Sequence, residues 1–412
     1  MTDTAKKLAL FRQDLRTWLE TTAPPSLRGA APSGYAGNWG GRNFIFADDD
    51  HRSWLEISAE KGLTAPTWPK LYGGGGYSTA EARVIDEEME RLKLPLPLIG
   101  LGLAMIGPTL LECGNEAQKR EHLPKIARGE IRWCQGYSEP SAGSDLASLR
   151  TRAVQDGSDF LINGQKVWTS YADQSDWAFV LVRTNPKAPK HDGISFLLID
   201  LATPGITVRP ITLISGESPF CEMFFDDVRL PAANMVGDLD KGWGVAKTLL
   251  GYERQAVSES MGSRSLLGGA AIRSARRGPA SASRLGEMAK EYVGLDGKAV
   301  ADAMLRDEIA QVEMTARSIK LAMQFLALSQ KAGRAAGPEG SALKLAGTEL
   351  NQKRQALHMR IAGPAGIGWS GDGFSEDELA LPRNWLRSRA NSIEGGTSEI
   401  QLNIIAKRIL NL

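Results

Sequence analysis

The chain has 412 residues, of which 42% are hydrophobic and 24% are charged. These proportions are typical of a globular protein and, at this length, of two or three domains; they exclude a disordered or collagen-like chain. The 49 lysines and arginines nearly balance the 48 aspartates and glutamates, which leaves a net charge of +1. Because duplex binding depends on a surplus of basic residues, we expect no nucleic-acid partner.

The sequence shows no pattern of a metal site, a disulfide framework or a membrane segment. The three cysteines form no CxxC pair, and the four histidines have no ligand spacing. The first twenty residues mix polar and apolar side chains, unlike a secretory signal. No apolar stretch approaches the ~20 residues that a membrane span needs. We therefore expect a soluble, cytoplasmic protein without a metal centre.

The spacing of apolar residues changes twice along the chain. Up to residue 130 it predicts helices, notably at 8–19, 81–92 and 96–111. From 131 to 238 short apolar runs alternate with turn signals, which indicates a small β-barrel or sandwich. Asn163-Gly164 lies between two such runs and predicts a hairpin turn. After residue 239 the spacing is helical again, with a bundle seam from Ile309 to Leu326.

A stretch near the end fits the GxGxxG pattern of dinucleotide-binding proteins. It runs from Gly366 to Gly371 and follows a predicted helix. The dinucleotide motif requires a preceding strand and a following helix within a βαβ unit. We therefore interpret this stretch as a structural turn.

Three other segments carry groups suited to a ligand, although each has a purely structural explanation. The loop at 133–145 is rich in hydroxyls and small residues, which suit an anionic or carbonyl-rich ligand or a simple serine turn. Trp168-Thr169-Ser170 offers an indole beside two hydroxyls, for a flat ring or for core packing. Gly395-Gly396-Thr397 allows close approach of a ligand or begins a helix capped by Thr397.

Taken in order, these segments resemble the acyl-CoA dehydrogenase family. The matching motifs are Ser138-Glu139-Pro140 with Gly143-Ser144-Asp145, Asn163-Gly164 with Lys166 and Trp168, Phe225 to Pro231, Gly242-Trp243, and Gly395 to Gln401. The matches span residues ~65 to 412, and the segment from Trp133 to Ala153 looks closest to the bacterial branch resembling the large subunit of pimeloyl-CoA dehydrogenases. The resemblance implies an α+β fold with an N-terminal helical domain (1–130), a middle β-barrel domain (131–238) and a C-terminal four-helix bundle (239–412).

The resemblance also implies the chemistry. Family members use FAD to introduce a double bond between Cα and Cβ of an acyl-CoA thioester, and a carboxylate removes the α-proton. In many relatives the base precedes Gly-Thr near the C-terminus, where this chain has Gly395. A subset resembling the long-chain and isovaleryl enzymes carries the base on the first bundle helix, before an arginine. That pattern identifies Glu253, followed by Arg254, as the candidate base; Glu394 lies one residue too early, and a surface ion pair is the structural alternative for Glu253.

Further roles follow residue by residue from the same resemblance. Arg254 is expected near the substrate or as a brace of the helix, the Gly395 N–H on the thioester carbonyl, and Ser144 on the FAD pyrophosphate or the pantetheine. The residues expected to contact FAD are Gln135, Tyr137, Ser138, Ser144, Trp168, Thr169, Ser170, Arg360, Gly363, Thr397 and Glu399. Electron transfer flavoprotein is the expected electron acceptor.

One departure from the family bears on assembly. Residues 274–294 contain no match to the Arg-x-x-Phe-Gly stretch whose arginine grips the FAD pyrophosphate of a neighbouring subunit. Arg360 could supply that charge, because a guanidinium suits phosphate, or a partner chain supplies it. Both a homotetramer or dimer and a heteromeric α2β2 assembly therefore stay open. Arg273, Arg276 and Arg277 could contact CoA phosphates or form a solvated loop.

Two alternative functions stay open at this point. The chain could be a non-catalytic partner subunit that shapes a site on another chain. It could also be a flavin monooxygenase or nitroalkane oxidase, because one fold supports several chemistries. The carboxylate at Glu253 argues against a monooxygenase, which needs no such base.

Overall fold

The computed structural model describes residues 3–29, 37–260, 282–331 and 337–412. For residues 3, 254–260, 282–284, 327, 330 and 331 only the backbone is described. The chain forms two compact units. The first comprises residues 1–211 and 219–268, and the second comprises 212–218 and 269–412. The predicted connection from Arg264 and the cluster at 273–277 fall largely outside the described residues.

The N-terminal part of the first unit is helical, as its apolar spacing predicts. Its helices are α1 (Asp3–Thr22), α2 (Asp49–Glu60), α3 (Thr79–Arg91), α4 (Gly107–Cys113) and α5 (Glu116–Ala127). Ser78 and Asn115 begin α3 and α5 with reciprocal side-chain caps, which satisfy backbone donors that a helix start leaves free. The predicted helix at 96–111 is shorter than expected. It begins with a π-helical turn at Gly102–Ile106, after Pro95 and Pro97, which cannot donate helical hydrogen bonds.

Eight strands form one sheet in the middle of the chain. They are β1 (Trp133–Gly136), β2 (Arg152–Asp156), β3 (Asp159–Ser170), β4 (Trp177–Arg183), β5 (Ile194–Asp200), β6 (Ile206–Ile211), β7 (Phe220–Pro231) and β8 (Met235–Val236). Their order is β6-β7-β3-β2-β4-β5-β8, and β1 pairs with β4 in parallel. A last helix of the first unit, α6 (Gly242–Ser260), packs on β5 and on the turn at Gly102–Ile106.

The predicted hairpin turn at Asn163-Gly164 is wrong. Both residues lie inside β3, at a shift in its register with β7, and the hairpin turn falls instead at Gly157, between β2 and β3. Gly164 has φ +149°, and a Cβ there would approach Thr151 to 2.7 Å. The glycine therefore serves a bulge and a close backbone approach, two uses that a local sequence signal does not separate from a turn.

The second unit is mainly helical, and its core contains the first part of the predicted bundle seam. Its helices are α7 (Ala282–Tyr292), α8 (Ala303–Lys331), α9 (Glu339–Ala362), α10 (Glu376–Ser388) and α11 (Ser398–Ile405), and β9 (Leu295–Asp296) pairs with β10 (Ala299–Val300). Ile309 and Val312 of α8 are buried in its apolar core. The stretch at Gly366 lies in a 3-10 turn after α9, so it does not open a dinucleotide-binding helix. The α+β fold class is confirmed, whereas the boundaries at 130/131 and 238/239 stay a prediction.

Two of the three cysteines are fully enclosed in the sheet. Cys134 on β1 and Cys221 on β7 belong to the same apolar cluster between the strands, and the Cys221 thiol lies 3.4 Å from Asp173. Cys113, at the end of α4, is half-buried, and all three thiols are free. Burial raises the pKa of Cys134 to about 12 and that of Cys221 to about 11.

Within the described residues, no helix is long and apolar enough to cross a membrane. The same residues contain no group of three or more histidine, cysteine, aspartate or glutamate side chains placed to hold a metal ion.

A buried carboxylate joins α1 to α3. Glu88 has a side chain only 2% exposed and accepts hydrogen bonds from Arg12, Arg16 and Arg91 at 2.7–3.0 Å. The hydrogen bond from Arg16 has the largest effect and, against the cost of burial, the arginines lower the pKa of Glu88 to about 2. The ionised form is therefore the one that stabilises this helix pair.

Glu88→Gln is expected to lower the free energy of unfolding by about 1–2 kcal/mol, because three guanidinium groups lose their buried counter-charge while remaining partly solvated. The wild-type stabilisation is present above the unfolded pKa of a glutamate, ~4.3, and is lost as the pH falls toward about 2. Urea unfolding from pH 7 to pH 3 measures both effects. Glu87→Gln, on the exposed side of α3, is the matched control and should change stability by less than about 0.5 kcal/mol.

Candidate active site

A β-bulge places the indole of Trp168 on the surface of the sheet. Lys166 pairs with Met223 and Thr169 pairs with Cys221, so two residues of β3 lie opposite one residue of β7. Trp168 has φ +61°, and its side chain is 56% exposed. A bulky residue rarely adopts positive φ, and bulges commonly redirect a side chain next to a functional site. The bulge thus presents a flat aromatic face to a ligand at a cost in backbone strain.

The loop that follows β1 lies directly beside this bulge. The Val167 N–H donates to the Ser138 carbonyl at 2.9 Å, which brings Ser138 next to Trp168. Ser138, Gln135 and Ser170 are half-buried. The Thr169 hydroxyl is buried and has no hydrogen-bond partner in the described part of the chain. An open indole face beside the half-buried hydroxyls of Ser138 and Ser170 fits a flat heteroaromatic group with polar edges.

A buried ion pair fixes the same loop to β3. Lys166 Nζ donates to Glu139 Oε1 at 2.8 Å and to the Tyr137 carbonyl at 3.1 Å, and both charged side chains are at most 5% exposed. Glu139 also accepts the backbone N–H groups of Arg150 and Thr151, at 2.6 and 2.9 Å. Burial acts to raise the pKa of Glu139, but the charge of Lys166 and these hydrogen bonds outweigh it and lower the pKa. Every oxygen of this carboxylate is therefore used to hold the loop.

Two residues of this loop with predicted ligand contacts, Tyr137 and Ser144, lie in different surroundings. The Tyr137 side chain is only 5% exposed and lies in the apolar core against Phe179 and Phe196. It leaves only its backbone for a cofactor, because a side chain enclosed in the core does not reach a ligand on the surface. Ser144 lies at the exposed end of the loop, next to an ion pair between Asp145 and Lys190, so its hydroxyl is free to meet a charged ligand.

Glu253 lies on the buried face of α6. It follows Ala246 by seven residues and Leu249 by four, a spacing that places all three on one face of a helix. Ala246 and Leu249 are fully buried in the apolar cluster that also contains Tyr137. The side chain of Glu253 is half-buried, and its charge acts on Tyr137. A carboxylate that extends an apolar stripe is poorly solvated, which is the environment that a general base requires. The side chain of Arg254 lies outside the described residues.

In the second unit, Arg360 is already engaged with acidic side chains. Its guanidinium forms ion pairs with Glu308 and, at 3.7 Å, with Asp302. Gly363, three residues later, ends α9 with φ +54°. The predicted phosphate contact of Arg360 would therefore require these pairs to be exchanged for the ligand.

The Gly395-Gly396 segment begins α11. Both glycines have positive φ, +63° and +90°, which a residue with a side chain rarely adopts. The Thr397 hydroxyl accepts the Ile400 N–H and caps the helix, while Glu399 is exposed in the first turn. Capping thus occupies one lone pair of Thr397, and a hydroxyl retains its proton for a second partner.

The rival base Glu394 is held by two partners. It pairs with Arg387 at 2.7 Å and accepts a hydrogen bond from Asn391 at 2.6 Å. These two contacts fix the orientation of the carboxylate and direct its oxygens toward Arg387 and Asn391, away from a ligand. This geometry supports setting Glu394 aside.

Sequence reasoning missed the roles of two lysines, one in each unit. Lys166 lies on β3, where every second side chain is buried, and it falls on a buried position. A lysine at a buried position indicates that an acidic side chain is paired with it inside the protein. Lys344 of α9 donates to the carbonyls of Asn391 and Gly396, at 3.1 and 2.7 Å, and so fixes the glycine segment. No local pattern marks Lys344, because its partners lie about fifty residues away.

Comparison with known proteins identifies three family profiles along the chain. They are described as the N-terminal domain (residues 35–130), the middle domain (134–228) and the C-terminal domain (240–410) of acyl-CoA dehydrogenase. Acyl-CoA dehydrogenase IpdE1 of Mycobacterium tuberculosis is 38% identical over 404 residues, 98% of this chain and 97% of the relative. Acyl-CoA dehydrogenase FadE26 of the same organism is 32% identical over 98% of this chain and 96% of its own length.

Two similar solved structures extend the match to the whole fold. The structure named "Tcur3481-Tcur3483 steroid ACAD" is 28% identical, with a TM-score of 0.70 and coverage of 99% of this chain and 98% of that one. The ChsE4-ChsE5 complex from Mycobacterium tuberculosis is 30% identical, with a TM-score of 0.69 and coverage of 100% and 98%. With all three domain profiles in order and relatives matched over nearly their full length, the chain belongs to the acyl-CoA dehydrogenase family.

Proposed function

We propose that this acyl-CoA dehydrogenase desaturates the α,β-bond of an acyl-CoA thioester and that Glu253 is its base. The observation that carries the assignment is the half-buried carboxylate of Glu253 on the otherwise apolar face of α6. Poor solvation favours the neutral acid over the carboxylate, and a carboxylate in such surroundings is a better base toward a weakly acidic carbon. Glu394 is held in an ion pair with Arg387.

The remaining site residues bind and orient. FAD is the cofactor of the family, and when bound it accepts the β-hydrogen as hydride. We assign the exposed indole of Trp168 to one face of the flavin ring, and Gln135, Ser138, Thr169 and Ser170 to its polar edges. The Thr169 side chain is fully buried, so we assign its contact with the ring to the backbone.

The remaining predicted roles concern the charged ends of the ligands and the thioester. We assign the Gly395 N–H to the thioester carbonyl, where a hydrogen bond stabilises the negative charge that develops as the α-proton leaves. Ser144 and Arg254 are assigned to the CoA side, and Thr397, Glu399 and Gly363 to the FAD side. Electron transfer flavoprotein is the acceptor that the family resemblance favours.

We further propose that the chain works in an assembly with a related subunit. One face of α8 exposes Met314, Leu321, Phe325 and Leu328, each 57–63% exposed and spaced by seven, four and three residues. Such an apolar stripe is typical of a helix that packs against another protein. Arg360 is engaged by Glu308 and Asp302, so a neighbouring chain is the simpler source of a guanidinium for the pyrophosphate. The two similar structures are named for pairs of chains, which favours a heteromer.

The acyl group proposed from these relatives is a steroid carboxylate. Anaerobic titration of the yellow holoenzyme with octanoyl-CoA, pimeloyl-CoA and cholanoyl-CoA tests this, because desaturation bleaches the oxidised flavin. We expect the fastest bleaching with cholanoyl-CoA. Faster bleaching with octanoyl-CoA or pimeloyl-CoA overturns the steroid assignment, and a yellow enzyme that none of the three bleaches overturns the proposed activity.

The same preparation tests the assembly. Purified alone, the chain is expected to contain little FAD, and co-expression with a related acyl-CoA dehydrogenase subunit should restore the flavin band. Light scattering gives the mass of each preparation. A chain that is fully loaded with FAD and active by itself argues against the heteromer and for a homo-oligomer.

A further inference from the structure

The Tyr137 side chain is a buried polar group that the assigned roles leave unused. Its ring packs edge-on against Phe179 and Phe196, with centroid distances of 6.0 and 6.4 Å. Its hydroxyl is buried and has no hydrogen-bond partner among the described residues. A buried hydroxyl without a partner costs about 1–3 kcal/mol, so such a group is retained where it gains a partner in another state of the protein.

The face of α6 that carries Glu253 packs into the same apolar cluster as Tyr137. Ala246 and Leu249, on that face, are both members of the cluster. Burial first, and the charge of Glu253 second, raise the pKa of Tyr137 well above its usual value. The hydroxyl therefore keeps its proton at any pH at which an acyl-CoA dehydrogenase would be assayed, and it can act only as a donor toward the carboxylate.

Other ionisable groups near this face have partners of their own or lie on another side. On α6, Tyr252 donates to Glu112 of α4 at 2.9 Å, and on α4 the thiol of Cys113 lies beside Thr248. The turn at Gly102–Ile106 is wholly apolar, and β4 and β5 present Phe179, Leu181, Phe196 and Leu198 to the cluster. The remaining charged residues of α6 are Lys247, Arg254 and Glu259, and the side chains of the last two lie outside the described residues. On the loop of Tyr137, Lys166 and Glu139 are paired with each other.

We propose that Tyr137 is a positioning residue, whose hydroxyl donates a hydrogen bond to the Glu253 carboxylate in the enzyme–substrate complex and holds it toward the α-carbon. The inference rests on the proposed role of Glu253 as the base. A donor that meets the charged form of a carboxylate favours that form, so Tyr137 offsets part of the effect of burial on Glu253. The base is then ionised when the thioester arrives, yet it is still shielded from water.

The test is the pH dependence of kcat, which reports ionisations in the enzyme–substrate complex. It uses the FAD-loaded enzyme and whichever of octanoyl-CoA, pimeloyl-CoA and cholanoyl-CoA bleaches the flavin fastest. Tyr137→Phe keeps the ring and removes the donor. We expect its acidic limb to move upward by about one pH unit, which lowers kcat about tenfold below that limb, while the plateau at high pH changes less than about threefold.

Tyr252→Phe is the matched control, because it removes a hydroxyl from the residue next to Glu253 on the same helix. Its hydroxyl donates to Glu112, so its acidic limb should stay in place. Should Tyr137→Phe fail to fold, 3-fluorotyrosine at position 137 keeps the volume and makes the hydroxyl a stronger donor, and the limb should then move downward. A limb that stays in place in either Tyr137 variant overturns this inference.

The failure of this inference is distinguishable from failure of the proposed function. Glu253→Gln, measured in the same buffers, reports on the base alone. If that variant turns over, Glu253 is not the base, and the inference about Tyr137 is overturned with it. If Glu253→Gln is inactive and the limb of Tyr137→Phe does not move, the base is retained and only the role of Tyr137 is overturned.

Discussion

Glu253→Gln is expected to lower kcat by about 10³–10⁴-fold while FAD stays bound. The amide has nearly the volume of the carboxylate but cannot accept the α-proton, and removal of a general base costs losses of this order. Ala246 and Leu249, the preceding residues on the same face of α6, have no group that could accept the proton instead. The measurement is single-turnover bleaching of the flavin, with FAD content determined from absorbance.

Two glutamates serve as controls for this prediction. Glu394→Gln removes the rival base and should retain turnover, although it weakens the pair with Arg387 and so lowers stability. Glu112→Gln removes a carboxylate that accepts a hydrogen bond from Tyr252, the neighbour of Glu253, and it should also retain turnover. Full activity of Glu253→Gln together with an inactive Glu394→Gln would reverse the assignment.

Lys166→Met is expected to have the largest effect on stability, a loss of about 3–5 kcal/mol in the free energy of unfolding. The substitution leaves the Glu139 carboxylate buried without its counter-charge, and breaking one partner of a buried pair costs this much. The Tyr137 carbonyl also loses its donor. Since the loop beside Trp168 depends on these contacts, the FAD content of the purified protein should fall as well. Urea unfolding and flavin absorbance measure the two effects.

Lys190→Met is the matched control, because it breaks a pair with Asp145 in which both side chains are exposed. Exposed pairs contribute about 0–1 kcal/mol, so little change is expected. The double variant Lys166→Met with Glu139→Gln should recover part of the loss, since the buried charge is removed along with its partner. Equal losses of stability in Lys166→Met and Lys190→Met would show that the buried pair contributes no more to the free energy of unfolding than the exposed pair.

The sequence is informative wherever a structure depends on local spacing. The helical period around Leu15 and Leu19 and the seam through Ile309 and Val312 predict helices that the structure confirms, with those residues in the cores. The Asn163-Gly164 signal fails because its glycine is required by the close approach of Thr151, the residue just before β2. The cause of that conformation is non-local, so a window of the chain does not contain it.

The candidate site shows the same difference between local and non-local information. Family motifs indicate Ser138, Trp168 and Glu253 because each stands at a recognisable place in a short pattern. The bulge that exposes Trp168 depends on the register with β7, and the ion pairs that engage Arg360 depend on Glu308, some fifty residues earlier in the chain. Lys166 appears in the motif as a residue type, but its pairing with Glu139 follows only from burial on β3.

The rate at which the enclosed thiols of Cys134 and Cys221 react measures how often the strands of the sheet separate. Only a thiolate attacks an alkylating or disulfide reagent, and burial keeps both thiols protonated and out of contact with solvent. Modification therefore proceeds through molecules in which the strands have separated, as amide exchange does. The ratio of their rates to that of an unfolded cysteine gives the free energy of that separation under native conditions. Bound FAD, on the same sheet, should slow both rates together.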